Sequence, residues 1–307
     1  MVVPTWRRPE DLGRCLAGLA AQKRLPDEIV IVVRQDDTLT WRFLEQEAPA
    51  RVPALRTVNL STPGLIAGVN AGLDAFEGDL VAFTDDDAVP RPDWLERIEA
   101  HMSDDPRVGA VGGRDWVHDG EGSNDGASRT VGKVRWYGRV VGNHHLGVGA
   151  PRRVDTLKGV NMAFRGAAVS NLRIRPGLRG KGAQVHGELD LSLAVRNAGW
   201  KLVYDPAVAV DHYPAQRFDE DQRVGRSLGA LANQVYNETL VLLGRAPRWQ
   251  RPVVLVYGLL VGSRQAPGLV LALERTLRRR RISGAFGAST RARVEAARDL
   301  VKDARLD

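Results

Sequence analysis

A short apolar run, Val81-Ala82-Phe83, breaks at Thr84 into three consecutive carboxylates, Asp85-Asp86-Asp87, followed by Ala88-Val89-Pro90. The run has the length and composition of a buried strand, and three unpaired charges cannot follow it into a core. They fit just past the carboxyl end of a strand, the edge where open α/β sheets bind ligands. Hard oxygen ligands gathered there suit Mg²⁺ or Mn²⁺. A divalent ion would in turn offset the charge of a diphosphate. Taken alone, the triplet is equally well read as a solvated acidic turn.

The flanking chain alternates strands and helices. Residues 2–5 read as a strand, and Pro9 falls where the first turn of a helix accepts proline. Leu12, Cys15, Leu16 and Leu19 then repeat at i, i+3, i+4 and i+7, which predicts a helix with one buried face. Residues 28–33 are an apolar run of the kind a central parallel strand needs, ending at Asp36-Asp37. Further helices are expected over 40–47, over 64–76 and from Pro92 onward, with strands over 55–60, 80–84 and 108–112. This order predicts an α/β fold with a mostly parallel sheet flanked by helices. Residues 114–153 read as an irregular insertion, 176–187 as a mobile lid, and 188–197 as a helix closed by Gly199. Residues 201–204 and 208–210 read as short strands, and the second leads to Asp211-His212.

Composition adds a boundary. The net charge of +7 is uneven: residues 244–281 hold nine arginines against Glu274 alone, so the rest of the 307-residue chain is near −1. The division expected is a catalytic domain over 1–218 and a helical, basic region over 219–307. That region points to an anionic partner, with an anionic membrane surface favoured over nucleic acid, for which no recognition module is present. Cys15 is the single cysteine, which excludes an intramolecular disulfide framework and fits a reducing cytoplasm. Met1 leads directly into Val2-Val3-Pro4-Thr5, so no secretory leader is expected. The expected location is the cytoplasm, peripheral to the inner face of the membrane.

Pro4-Thr5, the aspartate triplet, Gly187-Glu188-Leu189-Asp190-Leu191 and Ala198-Gly199-Trp200 occur in that order. Together they resemble an inverting family 2 glycosyltransferase over residues 2–213. The resemblance implies a GT-A fold, a single Rossmann-like α/β domain with an Asp-x-Asp metal motif. It implies Mn²⁺ or Mg²⁺ on Asp85, Asp87 and His212. It also implies a nucleotide-sugar donor, UDP- or dTDP-linked, at Pro4, Thr5, Arg7, Asp36, Asp37, Asn70, Asp85 and Asp86.

Inversion requires a general base to deprotonate the acceptor hydroxyl. The family motif is commonly Glu-Asp-x-Asp-Leu; here Gly187 replaces the first acid and Glu188 stands at the base position, with Asp190 as the alternative. Gly159, Asn161, Met162 and Trp136 are the expected acceptor side, for a glycan or lipid-linked acceptor, and Trp116, Tyr137, His144 and His145 could also meet a sugar. Two other readings stay open to the sequence. One is a sugar nucleotidyltransferase, although Thr5-Trp6-Arg7-Arg8-Pro9 lacks the expected glycine-rich loop. The other is a non-catalytic membrane-surface protein with a decayed transferase fold.

Overall fold

The computed structural model describes residues 1–48, 52, 54–120, 124, 126–180, 182, 184–216, 227–278 and 284–303. It divides into two compact units. The first comprises residues 1–133, 141–174 and 191–218; the second comprises 134–140, 175–190 and 219–307. The second unit thus takes in two segments that a division at residue 218 leaves with the first.

The first unit begins with β1 (Val2–Thr5), α1 (Pro9–Ala20), β2 (Ile29–Arg34), α2 (Thr38–Gln46), β3 (Leu55–Leu60), α3 (Leu65–Ala75) and β4 (Leu80–Phe83). There follow β5 (Ala88–Pro90), α4 (Trp94–Asp104), β6 (Val108–Val117), the short pair β7 (Lys133–Val134) and β8 (Val140–Val141), β9 (Arg152–Val154), β10 (Met162–Arg165) and α5 (Gly166–Val169). Next come α6 (Gly187–Asn197) and β11 (Lys201–His212). The central sheet has nine strands in the order β3-β2-β1-β4-β10-β6-β11-β5, with β9 also on β11. Strands β1 to β4, β6 and β11 share one direction, while β5, β9 and β10 run against it.

Local chemistry explains the layers. Helix α1 starts on Pro9, and its Leu12, Cys15, Leu16 and Leu19 are fully buried as the spacing predicts. Each such leucine contributes roughly 1.5–3 kcal/mol by leaving water. Strand β2 is buried on both faces from Ile29 to Val33, which fits its place between β1 and β3. Gly199, at φ +94°, closes α6 through Trp200 N–H donating to Val195 O.

The two short strands expected near residues 201–210 are one strand, β11. It slips register against β6 between Asp205 and Val210. Gly113 sits opposite that bulge, and a Cβ there would collide with the carbonyl of Val208. Strand β6 also extends past Gly112 to Val117, so the supposed insertion begins later than its composition suggests.

In the second unit, α7 (Leu228–Arg245) packs along α10 (Ala285–Asp303), with α8 (Arg251–Leu260) and α9 (Leu269–Leu277) between them in sequence. The segment expected to be a mobile lid is anchored. Asn237, buried in α7, donates to the carbonyls of Arg179 (2.8 Å) and Val185 (3.0 Å) and accepts from Arg179 N–H. The Arg179 guanidinium lies 3.5 Å from the Tyr236 ring centroid and donates to Glu295 at 2.6 Å. Lys181 and Ala183 of that segment, and Arg279, Arg280 and Arg281 of the basic region, lie outside the described residues. No described helix is long and apolar enough to cross a membrane.

Candidate active site

The carboxyl end of β4 is held from beneath by Thr84, buried, whose hydroxyl donates to Val160 O at 3.0 Å. The chain then turns through Asp85-Asp86-Asp87 into β5. Strand β5 pairs antiparallel with the end of β11, with Ala88 opposite His212. That register sets His212 beside Asp87: Nε2 of the ring is 3.4 Å from Oδ1 of the carboxylate. Tyr213 N–H donates to Asp87 O (2.8 Å) and Ala215 N–H to Asp87 Oδ2 (3.0 Å). One donor atom from each of Asp85, Asp87 and His212 lies within 4.8 Å of the others.

The three aspartates differ in surroundings. Asp86 is buried, with Oδ2 accepting from Thr5 Oγ1 and Oδ1 from Arg8 Nη1, both at 2.8 Å. Burial pushes its carboxyl up to about 7 against the pull of Arg8. Burial acts on Asp87 too, but His212, the Ala215 N–H and Arg8 outweigh it and hold that carboxyl below the usual carboxylate range. Asp87 is therefore the ionised partner for His212. Asp86 has both oxygens engaged with the protein, which ties the triplet to Thr5 and Arg8.

Behind His212 stands Asp115, fully buried on β6. Parallel pairing sets Val210 opposite Asp115, and Oδ2 of Asp115 is 4.0 Å from His212 Nδ1. Lys158 Nζ also donates to Oδ2. Among the described residues, Asp87 Oδ1, Asp115 Oδ1 and His212 Nδ1 have no hydrogen-bond partner. Buried polar atoms left this way are costly. Two carboxylates and an imidazole converging beside such atoms make a donor set that fits a divalent cation.

At the ends of β1 and β2, Arg7 has φ +58° and its N–H donates to Asp37. Asp37 is buried and caps α2, also accepting from the N–H and hydroxyl of Thr40. Its described partners are thus all within the protein. Asp36 is exposed and paired with Arg34 at 2.7 Å. Trp6 carries Arg34 at 4.3 Å and Arg7 at 5.0 Å from its ring centroid. Pro4 is half-buried within β1, opposite Val32.

In the second unit, the first turn of α6 carries both candidate bases. Asp190 is fully buried; Arg245 donates to its two oxygens at 2.7 and 2.8 Å, and Arg175 adds 3.1 Å through Nε. Burial raises its carboxyl, but the two arginines prevail and keep it below the ordinary range. Asp190 is thus enclosed by two arginines within the second unit. Glu188 is half-buried and, among the described residues, accepts no hydrogen bond or ion pair.

The model of a family described as glycosyltransferase-like family 2 matches residues 1–232. The chain belongs to this family. Solved glycosyltransferases share its GT-A fold. TarS of S. aureus, residues 1–349 with UDP, aligns at TM-score 0.60 and 13% identity over 95% of this chain and 79% of that one. The mannosyltransferase PcManGT of Pyrobaculum calidifontis, with GDP-Man and Mn²⁺, aligns at 0.55 and 17% over 98% and 86%. GalNAc-T7, with UDP, GalNAc and Mn²⁺, aligns at 0.59 and 15% over 78% and 47%. Among curated proteins, the glucosyl-dolichyl phosphate glucuronosyltransferase of Haloferax volcanii is 31% identical over 113 residues, 36% of this chain and 36% of that protein. An uncharacterized protein, y4gI, of Sinorhizobium fredii is 28% identical over 193 residues, 60% of this chain and 21% of its own length. The matches thus cover between 21% and 36% of these curated relatives.

Several residues expected to contact ligand make bonds within the scaffold. Asn161 is buried, accepting from Trp94 Nε1 (2.9 Å) and donating to Val208 O (2.8 Å) and Arg114 O (3.3 Å). Met162 is buried in β10 and Asn70 bonds both backbone groups of Ile174 at 2.9 Å. His144 is buried against Thr156 O. Gly159 has open space where a Cβ would be. Trp136, in the second unit, is 61% exposed with its edge to Tyr137. Arg8, Asp115 and Lys158 escaped the sequence reading, because their importance comes from partners 43 or more residues away. A cleft of about 720 Å³ lined by Phe76, Asp79, Met102 and Arg165 opens at the opposite end of β4 and holds none of the triplet.

Proposed function

We propose that this chain is an inverting, metal-dependent hexosyltransferase. It moves a sugar from a nucleoside-diphosphate donor to a hydroxyl of a lipid-linked or cell-envelope glycan, working in the cytoplasm at the inner face of the membrane. The observation that carries the reading is the convergence of Asp85, Asp87 and His212 to within 4.8 Å at the carboxyl end of β4, the ligand-binding edge of such a sheet. Those three residues would hold Mn²⁺ or Mg²⁺, which when bound takes up negative charge on the departing diphosphate.

The chain's own groups supply the rest. Thr5 and Arg8 fix Asp86 and hence the path of the triplet. Trp6, with Arg7 and Arg34 beside its ring, offers a stacking edge for a nucleobase. Glu188 takes the proton of the acceptor hydroxyl as that oxygen bonds to the anomeric carbon and the carbon–oxygen bond to the diphosphate breaks. Attack opposite the leaving group inverts the centre. UDP- and dTDP-sugars are the favoured donors; two of the neighbours cited above contain UDP and a third GDP-Man. The name of the Haloferax relative supports a polyprenyl-type acceptor.

The test is release of nucleoside diphosphate from a panel of UDP-, dTDP- and GDP-sugars with Mn²⁺ and a mixture of lipid-linked acceptors. Nuclear magnetic resonance of the product then reads the anomeric configuration. One donor turned over with inversion is expected. Retention, or release unaffected by EDTA, would overturn the mechanism.

A further inference from the structure

Helix α9 presents its apolar side outward. Leu269, Val270, Leu273 and Leu277 are 44, 54, 54 and 84% exposed, while Ala272 faces inward. These four positions fall on one stripe about 100° wide, and a globular unit normally turns that stripe inward. Helix α8 repeats the arrangement with Val256 and Leu260 exposed one turn apart, and Trp249 in the preceding turn is 70% exposed.

Apart from Glu274, the charges beside these stripes are positive. Arg248, Arg264 and Arg278 are exposed. Arg245 is spent on Asp190, and Glu274, the one acid from residue 244 to 278, pairs with Arg278 at 2.9 Å. Aliphatic side chains flanked by arginines and preceded by a tryptophan match an interfacial helix on an anionic bilayer. A second copy of the chain would bring arginine against arginine, which disfavours self-association. Helices of nine and ten residues are too short to span a bilayer, so they would lie in its surface.

We propose that the outward stripes of α8 and α9 dock this chain on an anionic lipid surface, with Leu273 and Leu277 entering the headgroup boundary and Arg248, Arg264 and Arg278 meeting the lipid charge. The inference deepens the membrane-proximal acceptor proposed above and rests on that reading for its purpose. Its test does not, because vesicle binding needs neither donor nor metal.

The full chain is sedimented with vesicles of equal parts phosphatidylglycerol and phosphatidylcholine, and with phosphatidylcholine alone. Binding to the anionic vesicles only is expected. It should weaken by at least tenfold when Leu273→Asp and Leu277→Asp are combined, and by roughly fivefold for each of Arg248→Gln, Arg264→Gln and Arg278→Gln. These side chains are at the surface, so the melting temperature should stay within a degree or two. Equal binding to both vesicles, no binding to either, or unchanged binding by the double variant would overturn the proposal. So would a concentration-dependent dimer in light scattering that the double variant abolishes.

Discussion

Nδ1 of His212, a half-buried side chain, lies 4.0 Å from Oδ2 of the fully buried Asp115. That separation is beyond hydrogen-bond distance, and Nδ1 has no hydrogen-bond partner among the described residues. A carboxylate on that side favours the tautomer that leaves Nε2 free for a metal, the usual outer partner of a metal-bound histidine. Asp115→Asn should therefore lower Mn²⁺ affinity by about 10- to 100-fold, read by electron paramagnetic resonance of bound Mn²⁺. An affinity equal to that of the parent protein would assign Asp115 to packing alone.

Glu188→Gln keeps the size and most of the polarity of the side chain and removes its basicity. Donor affinity should stay within about twofold, while kcat falls by about 10²- to 10⁴-fold. Transfer at the parental rate by the Glu188 variant would remove it as the base.

Replacing Asp190 by alanine leaves Arg175 and Arg245 facing each other without a counter-charge. Breaking a buried pair on one side typically costs about 3–5 kcal/mol. The urea midpoint of Asp190→Ala should drop accordingly, and a change below about 1 kcal/mol would show that the arginines find other partners.

His144 gives the stability a pH dependence. Burial lowers its folded pKa to about 4 from the ordinary 6.5. Between these values the unfolded chain binds the proton and the folded chain does not, so stability falls as the pH falls through that window. The loss amounts to at most about 3.5 kcal/mol, at ~1.4 kcal/mol per pH unit. His144→Gln should flatten the slope of unfolding free energy between about pH 4 and about pH 6.5. An unaltered slope would place the dependence on other groups.

Much of this was legible in the sequence because it is local. The spacing of Leu12, Cys15, Leu16 and Leu19 dictates a buried helix face, and the run ending at Asp85 could only emerge at a strand's end. What escaped depends on contacts distant in the chain. Strand β5 is three residues long and owes its existence to β11, so nothing near Ala88 announces it. Nothing in Arg7-Arg8 says which arginine meets Asp86; the left-handed backbone at Arg7 accompanies the choice of Arg8. Asp190 is the alternative to Glu188 in the sequence, and nothing near it announces Arg175 and Arg245, which bond it from 15 and 55 residues away. Asn161 and Asn70 likewise become scaffold through backbone carbonyls that no spacing reveals.

The central claim is that Asp85, Asp87 and His212 bind a cation that receives a nucleoside diphosphate. Calorimetric titration of UDP in Mn²⁺ and in EDTA, with the parent protein and Asp87→Ala, tests it most directly. Binding at least tenfold tighter with Mn²⁺ is expected for the parent, about 1.4 kcal/mol or more, and no such gain for the variant. UDP binding that ignores Mn²⁺ in the parent, or gains equally from it in Asp87→Ala, would rule out a cation on these three residues as the nucleotide's anchor.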